Sequence, residues 1–253
     1  MTTYTEGQIN KIIELRKEGK GVTQIGRELN LDRGAISRLL KNLGYSTDRN
    51  PIIKDIFSKI DSEEKAYWLG MLYSDGSINK INGQVELGLQ AKDIKHLEKF
   101  KKFLKCNNKI SYNKNSNSYR LSFCCSQITE DLIKLGCTPQ KSLVIKFPTD
   151  EQVPRKFKKD FMRGFIDGDG CLCYTDKTYY LGFTSTEDFI NEAIKYFNWK
   201  SCKLYSSGQA KTWRCADKKL VPNYLKTLYE NSIIYLDRKY EKYLEMININ
   251  TQF

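Results

Sequence analysis

The stretch FMRGFIDGDGCL, residues 161–172, decides how this chain reads. An apolar run with helical character ends in Asp167-Gly168-Asp169-Gly170. Asp-Gly by itself marks an ordinary turn. A second stretch, YWLGMLYSDGSI at residues 67–78, has the same design: an apolar run holding one glycine, then Asp75-Gly76. Aligning the two Asp-Gly pairs sets an offset of 94 residues, and Gly70 then falls on Gly164.

Outward from these stretches the match continues, the signature of an internal repeat. QVELGLQ and YYLGFTS alternate as strands, with Gly88 on Gly182. KDIKHLEKFKKFL and EDFINEAIKYF have the apolar spacing of helices. Hairpins follow (KISYNKNSNSYRLSF and CKLYSSGQAKTWRC), then TEDLIKLG and VPNYLKTLYENS as closing helices. Gln140-Lys141 and Arg238-Lys239 come next, after a few extra residues in the second copy. The expected fold class is α+β: two pseudo-twofold-related αββαββα repeats, residues 59–150 and 151–253, whose sheets form a saddle. A pseudo-twofold monomer suits duplex DNA, whose strands are themselves related by a twofold axis.

Residues 1–45 read as a separate all-α module of three short helices. Ile9, Ile12, Ile13 and Leu15 form one apolar stripe, and Ile36, Leu39, Leu40 and Leu43 another. Thr23 is the expected cap of the second helix, and Asn30 suits a left-handed turn before the third. TQIGRELNLDRGAISRLLK resembles a helix-turn-helix DNA-binding unit, whose second helix enters the major groove. Arg33, Ser37, Arg38 and Lys41 would then face DNA, with Gly34 beside them. Residues 46–58, YSTDRNPIIKDIFS from Tyr45 onward, are the expected linker.

Composition points the same way. The 253 residues hold 42 Lys+Arg against 30 Asp+Glu, a formal charge of +12, which favours a polyanionic partner. Eight cysteines include no C-x-x-C pair and His96 is the single histidine, so structural zinc and a His-dependent triad are disfavoured. The cysteines are expected as reduced, mostly buried thiols. The N-terminus is too polar for a secretion signal, and no 18-residue apolar run exists to span a membrane. An intracellular, non-secreted monomer is expected.

The two opening stretches resemble the paired motifs of LAGLIDADG homing endonucleases in their single-chain form. Residues 68–76 match the nine positions of the first motif and residues 162–170 those of the second. The resemblance implies a site-specific endonuclease that makes a staggered cut in double-stranded DNA. Its metal-binding acids fall on Asp75 and Asp169, with Gly76 and Gly170 beside them in the metal site. Magnesium is the implied ion, with manganese as the substitute. Three positions depart from the motif: Tyr73 replaces the sixth-position acid, and Leu69 and Arg163 replace the small second residue. Non-cleaving DNA-binding regulators and RNA-splicing maturases on the same fold are the alternatives.

Physical chemistry supports the same acids. A carboxylate at a helix C-terminus opposes the helix dipole at a cost of about 0.3–1 kcal/mol, and two such acids together repel. A hard divalent cation offsets both effects. Gly76 and Gly170 are expected as left-handed caps, and Gly70 and Gly164 as points of close helix contact. Lys141 and Lys239 occupy matching places and are candidates for charge stabilisation at the phosphate. Alternation puts Gln84, Glu86, Gln90, Lys109, Ser111, Arg120 and Ser122 on the outer face of the first sheet. Lys203, Tyr205, Thr212 and Arg214 are their counterparts in the second. Such side chains can read base edges or bind phosphates.

Overall fold

The computed structural model describes residues 4–18, 20–45, 52–175, 178–201 and 204–250. The chain forms two compact units, Met1–Ile53 with Lys101–Lys109, and Lys54–Phe100 with Ile110–Phe253.

In the first unit, α1 (Glu6–Lys17), α2 (Val22–Leu29) and α3 (Arg33–Asn42) surround a core of Ile12, Leu15, Ile25, Ile36 and Leu40. Thr5 and Gln8 cap α1 reciprocally: the Gln8 amide donates to Thr5 Oγ1 at 3.3 Å and the Thr5 amide to Gln8 Oε1 at 3.0 Å. Asp32 caps α3 by accepting from the Ala35 amide at 2.8 Å. Asn30 is left-handed as expected, with φ 52° and ψ 46°. Gly26 makes the following turn possible, because a Cβ there would lie 2.9 Å from the Leu31 carbonyl. Thr23 does not cap α2; Gly21 precedes the helix and its amide donates to Gln24 Oε1 at 3.1 Å. Leu43 lies past the end of α3 and is 44% exposed, so it leaves the expected apolar face.

The second unit contains both repeats apart from residues 101–109 of the first. The first runs α4 (Glu63–Asp75), β1 (Gly76–Asn79), β2 (Gln84–Gln90), α5 (Ile94–Phe103), β3 (Ile110–Asn113), β4 (Ser118–Cys124) and α6 (Ser126–Lys134). The second runs α7 (Lys158–Asp169), β5 (Cys171–Tyr174), β6 (Tyr179–Ser185), α8 (Glu187–Phe197), β7 (Tyr205–Ser207), β8 (Ala210–Ala216) and α9 (Leu220–Tyr229). A further helix, α10 (Asp237–Asn250), follows only the second repeat. Each repeat forms a four-stranded antiparallel sheet, in the order β1-β2-β4-β3 and β5-β6-β8-β7. The expected αββαββα order is therefore the observed one.

Residues 46–51 of the expected linker lie outside the described residues. Its end does not behave as a linker: Phe57 is fully buried and Ile56 nearly so. Apolar side chains at this density belong in a core, and the second unit accordingly begins at Lys54.

The two repeats meet where α4 and α7 cross. A Cβ on Gly70 would lie 2.0 Å from the Phe161 carbonyl oxygen, and one on Gly164 would lie 2.0 Å from that of Tyr67. These glycines let the backbones touch. Arg163 is compatible with this contact because it leaves the crossing and is satisfied elsewhere. It is fully buried, donating to Glu63 Oε1 at 2.7 Å, Asp160 Oδ1 at 2.9 Å, the Leu228 carbonyl at 2.7 Å and the Ile234 carbonyl at 2.9 Å.

Candidate active site at the crossing of the motif helices

Asp75 and Asp169 are the last residues of α4 and α7. Gly76 and Gly170 follow in extended conformation, at φ −80° and −76°, not as the expected left-handed caps. The chain passes from each helix into its strand with no turn to accommodate, so positive φ is not required. Glycine is needed for space instead: a Cβ would lie 2.5 Å from the Leu72 carbonyl oxygen at Gly76, and 2.4 Å from that of Ile166 at Gly170.

The two acids converge. A Cβ on Gly168 would lie 2.6 Å from Asp75 Oδ2, so the Asp75 carboxylate sits against the last turn of α7. Burial, then the charge of Asp169, pushes the Asp75 carboxyl up to about 7, against the pull of Lys239, Lys141 and Arg238. Burial also raises Asp169, against Lys141 and Lys239. Asp169 keeps an exposed side chain within this surrounding protein, so the pair is reachable from solvent.

Both expected lysines come to this place. Lys141 Nζ donates to the Gly76 carbonyl. Lys239 Nζ donates to the carbonyls of Gly170 at 2.6 Å, Ile166 at 2.5 Å and Gly168 at 3.3 Å. Each lysine thus binds the glycine that follows its repeat's aspartate. Their settings differ: Lys141 starts a short 3-10 turn, whereas Lys239 is 2% exposed on α10. Burial lowers Lys239 to about 8, with Asp167 pulling up first, Arg238 pushing down, and Asp75 and Asp169 pulling up. An ammonium engages each glycine carbonyl, which leaves one lone pair on each oxygen, and the two carboxylates are the charged groups beside them.

The carboxylate pair fits a hard divalent ion. Its two like charges are partly withdrawn from water, and such ions take one or two carboxylates plus waters and phosphate oxygens. No cluster of three or more His, Cys, Asp or Glu that could hold a metal occurs among the described residues.

A buried network beside the site was not legible in the sequence. Asp167 accepts from Tyr229 Oη at 2.5 Å, Tyr67 Oη at 2.7 Å and the Leu236 amide at 2.8 Å. Tyr67 Oη also pairs with His96 Nε2 at 2.8 Å. Burial, followed by the Lys99 charge, lowers His96 to about 3, so the ring is neutral at neutral pH. The Tyr67 proton goes to Asp167, which assigns the imidazole proton to Nε2. By tying down Leu236, Asp167 anchors the start of α10 and hence Lys239. The first repeat does this differently: Tyr73, in the place of Asp167, donates to the Leu135 carbonyl at 2.5 Å and meets Phe161 edge-on at 4.9 Å. The sequence clue was the exchange of Asp167 for Tyr73, but its partners lie 62 to 100 residues away.

The outer faces of the sheets carry most of the expected polar residues. Gln84 donates to Ser122 Oγ at 2.8 Å, and Arg120 pairs with Glu86 at 3.2 Å. Gln90 and Ser111 are exposed. Lys109 is exposed but precedes β3, in the segment that groups with the first unit. In the second sheet Arg214 stacks over Tyr205 at 4.8 Å. Thr212 departs from expectation: it is 9% exposed, and its hydroxyl pairs with that of its cross-strand neighbour Thr184 at 2.8 Å. Lys203 lies outside the described residues. In the first unit Arg33, Arg38 and Lys41 are exposed and Ser37 is half-buried. Seven cysteines are described; all are free thiols, and Cys106, Cys125, Cys137 and Cys215 are buried. No described helix is long and apolar enough to cross a membrane.

This arrangement of repeats is the two-repeat LAGLIDADG fold. The chain is similar to the crystal structure of the I-LtrWI LAGLIDADG homing endonuclease bound to target DNA, with TM-score 0.52 and 14% identity over 75% of this chain and 92% of that one. It is similar also to meganuclease I-SmaMI bound to uncleaveable DNA, with TM-score 0.51 and 14% identity over 74% of this chain and 90% of that one. At this identity the likeness is one of fold. No family model matches the sequence, and neither does any curated protein.

Proposed function

We propose that this protein is a site-specific, divalent-metal-dependent endonuclease for double-stranded DNA. The observation that carries this reading is the convergence of Asp75 and Asp169 at the ends of two crossing helices, with a lysine held beside each. Stability alone does not favour such a pair, as the raised carboxyls indicate. Asp75 and Asp169 would hold magnesium or manganese. The bound ion would polarise the scissile phosphate and acidify a water. Lys141 and Lys239, fixed by backbone carbonyls, would place positive charge where the phosphate gains negative charge, without reorganising during the reaction. The outer faces of both sheets would supply base and phosphate contacts, among them Gln84, Arg120, Tyr205 and Arg214.

The three-helix unit supports a second contact with DNA. Its left-handed Asn30, tight Gly26 turn and exposed Arg33, Arg38 and Lys41 are what a helix-turn-helix reading requires. We assign it a role in extending the bound site.

The test is a library of duplex targets incubated with the protein, with and without Mg²⁺, followed by sequencing of new ends. Mg²⁺-dependent ends at a defined site are expected, and Asp75→Asn and Asp169→Asn should abolish double-strand cutting while leaving binding largely intact. Specific binding with no cut on any target would overturn the nuclease reading in favour of a regulator.

A further inference from the structure

The second sheet carries two thiols that the proposed reaction does not use. Cys171 and Cys173 lie on β5 with the buried Leu172 between them, so both side chains share the exposed face. Burial and then the charge of Cys171 raise the Cys173 thiol, and a hydrogen bond between the two side chains adds to this, so the sulfurs are neighbours. At the 94-residue offset these positions are Ser77 and Asn79, exposed in the same way on β1. The first repeat thus has a thiol at neither place.

Residues two apart on a strand have Cα atoms about 6.4–6.8 Å apart, whereas a disulfide spans roughly 4.4–6.8 Å and most often about 5.5–6 Å. Joining the pair requires β5 to contract by about 1 Å. β5 is an edge strand bonded to β6 alone, so its other side is free to give. A disulfide that is both strained and exposed is readily reduced again, unlike a structural one.

We propose that Cys171 and Cys173 are a reversible redox site, oxidised to a disulfide by a small-molecule disulfide of the glutathione type, and that the oxidised protein is less active. In the first step one cysteine loses its proton and its sulfur bonds to one sulfur of glutathione disulfide. The S–S bond of glutathione breaks and one glutathione thiolate leaves. The other cysteine then loses its proton, bonds to the first cysteine sulfur and displaces the second glutathione thiolate. Two protein thiols are oxidised, one glutathione disulfide is reduced, and the two protons end on the two glutathione thiols. The link to activity runs through α10. Lys242 Nζ donates to the Leu172 carbonyl at 3.0 Å and Lys239 Nζ to the Gly170 carbonyl at 2.6 Å. A contraction centred on Leu172 shifts both carbonyls and draws Lys239 from its place. This effect on activity rests on the endonuclease reading; the oxidation itself does not.

The full-length protein is treated with glutathione disulfide and then with excess reduced glutathione, without metal or DNA. Free thiols are alkylated and the protein is digested with trypsin, which leaves both cysteines, and no third, in the peptide of residues 164–177. Loss of two hydrogen atoms from this peptide, regained on reduction, is expected. A glutathione adduct as the end product, no change, or a disulfide that reduced glutathione does not open overturns the redox site. Cleavage of a duplex target in Mg²⁺ is then compared before and after treatment. A displacement of about 1 Å can cost up to about a hundredfold in rate, so slowing by about tenfold or more is expected, reversed by reduced glutathione. The double variant Cys171→Ser, Cys173→Ser should keep one rate throughout. An unchanged rate after oxidation of the unaltered protein, or slowing that persists in the double variant, overturns the regulatory role. If the reduced protein cuts no target, the endonuclease reading fails, and the peptide masses still decide whether the pair is a redox site.

Discussion

Gly70→Ala is the sharpest test of how the repeats are joined. The added methyl would lie 2.0 Å from the Phe161 carbonyl oxygen and 2.8 Å from the Phe165 nitrogen, and both obstacles are backbone. No rotamer change relieves them, so the crossing of α4 and α7 must open by about 1 Å. A gap of that size forfeits roughly a quarter to a half of the dispersion energy between facing atoms. Tyr67, Met71, Phe161 and Phe165, each at most 1% exposed on these helices, feel the opening. The expected loss is about 3 kcal/mol, the upper end of ordinary overpacking. Total stability of a protein is about 5–15 kcal/mol, so urea unfolding should show the change clearly. In a scan, Tm should fall by about 6–12 °C. Gly164→Ala should cost a similar amount, since its methyl would meet the Tyr67 carbonyl oxygen at 2.0 Å. The double variant should cost far less than the sum, because one separation relieves both clashes. Single losses below about 1 kcal/mol, or strict additivity, would refute the backbone-contact reasoning.

The metal-free stability of the protein should depend on pH through Asp75. Its carboxyl is raised from 3.8 to about 7 on folding, so between those values the folded state holds more protons and stability falls as pH rises. Asp75→Asn should therefore melt higher than the unaltered protein at pH 8, with the gain shrinking as pH falls below about 7 and gone near 4; a gain constant with pH contradicts this. Asp167→Ala strands three donors, the hydroxyls of Tyr67 and Tyr229 and the Leu236 amide, and should cost at least about 3 kcal/mol by urea unfolding. Asp167→Asn keeps an acceptor and should cost less than half as much; equal losses would show that the carboxylate does not organise the network. Arg38→Ala in the exposed face of α3 should lower DNA affinity and reduce the salt dependence of binding by about one unit of slope, measured by titration at several salt concentrations. An unchanged slope would remove Arg38 from the phosphate contacts.

Much of the architecture was legible because its signals are periodic. The repeat, the strand alternation around Val85, Leu87 and Leu89, and the left-handed Asn30 all depend on residues near in sequence, and all recur in the structure. Errors came where a local signal met a tertiary constraint. Gly76 and Gly170 read as left-handed caps because glycine usually serves that need; here the carbonyl one turn back excludes a Cβ from an extended backbone. Thr212 read as outward and polar from alternation, which does not reveal that its hydroxyl pairs with that of Thr184 on the neighbouring strand. Arg163 read only as a departure from the motif's small second residue, and the arrival of Glu63 from the other repeat and of two carbonyls from beyond α7 shows how it is held.

By itself the amino-acid sequence determined the elements, their duplication, and which acids stand at the ends of the motif helices. These follow from side-chain period and from spacing along the chain. Tertiary structure alone decided that Asp75 rests against Gly168, that Lys141 and Lys239 each bind the glycine after an aspartate, and that Asp167 anchors α10 while Tyr73 does not. The hydrogen bonds among them join residues 65 to 69 positions apart. Their energies come from desolvation and from hydrogen bonds completed within each repeat and, for Asp75 against Gly168, from the packing of the helix crossing, and none of these exists until the chain has folded.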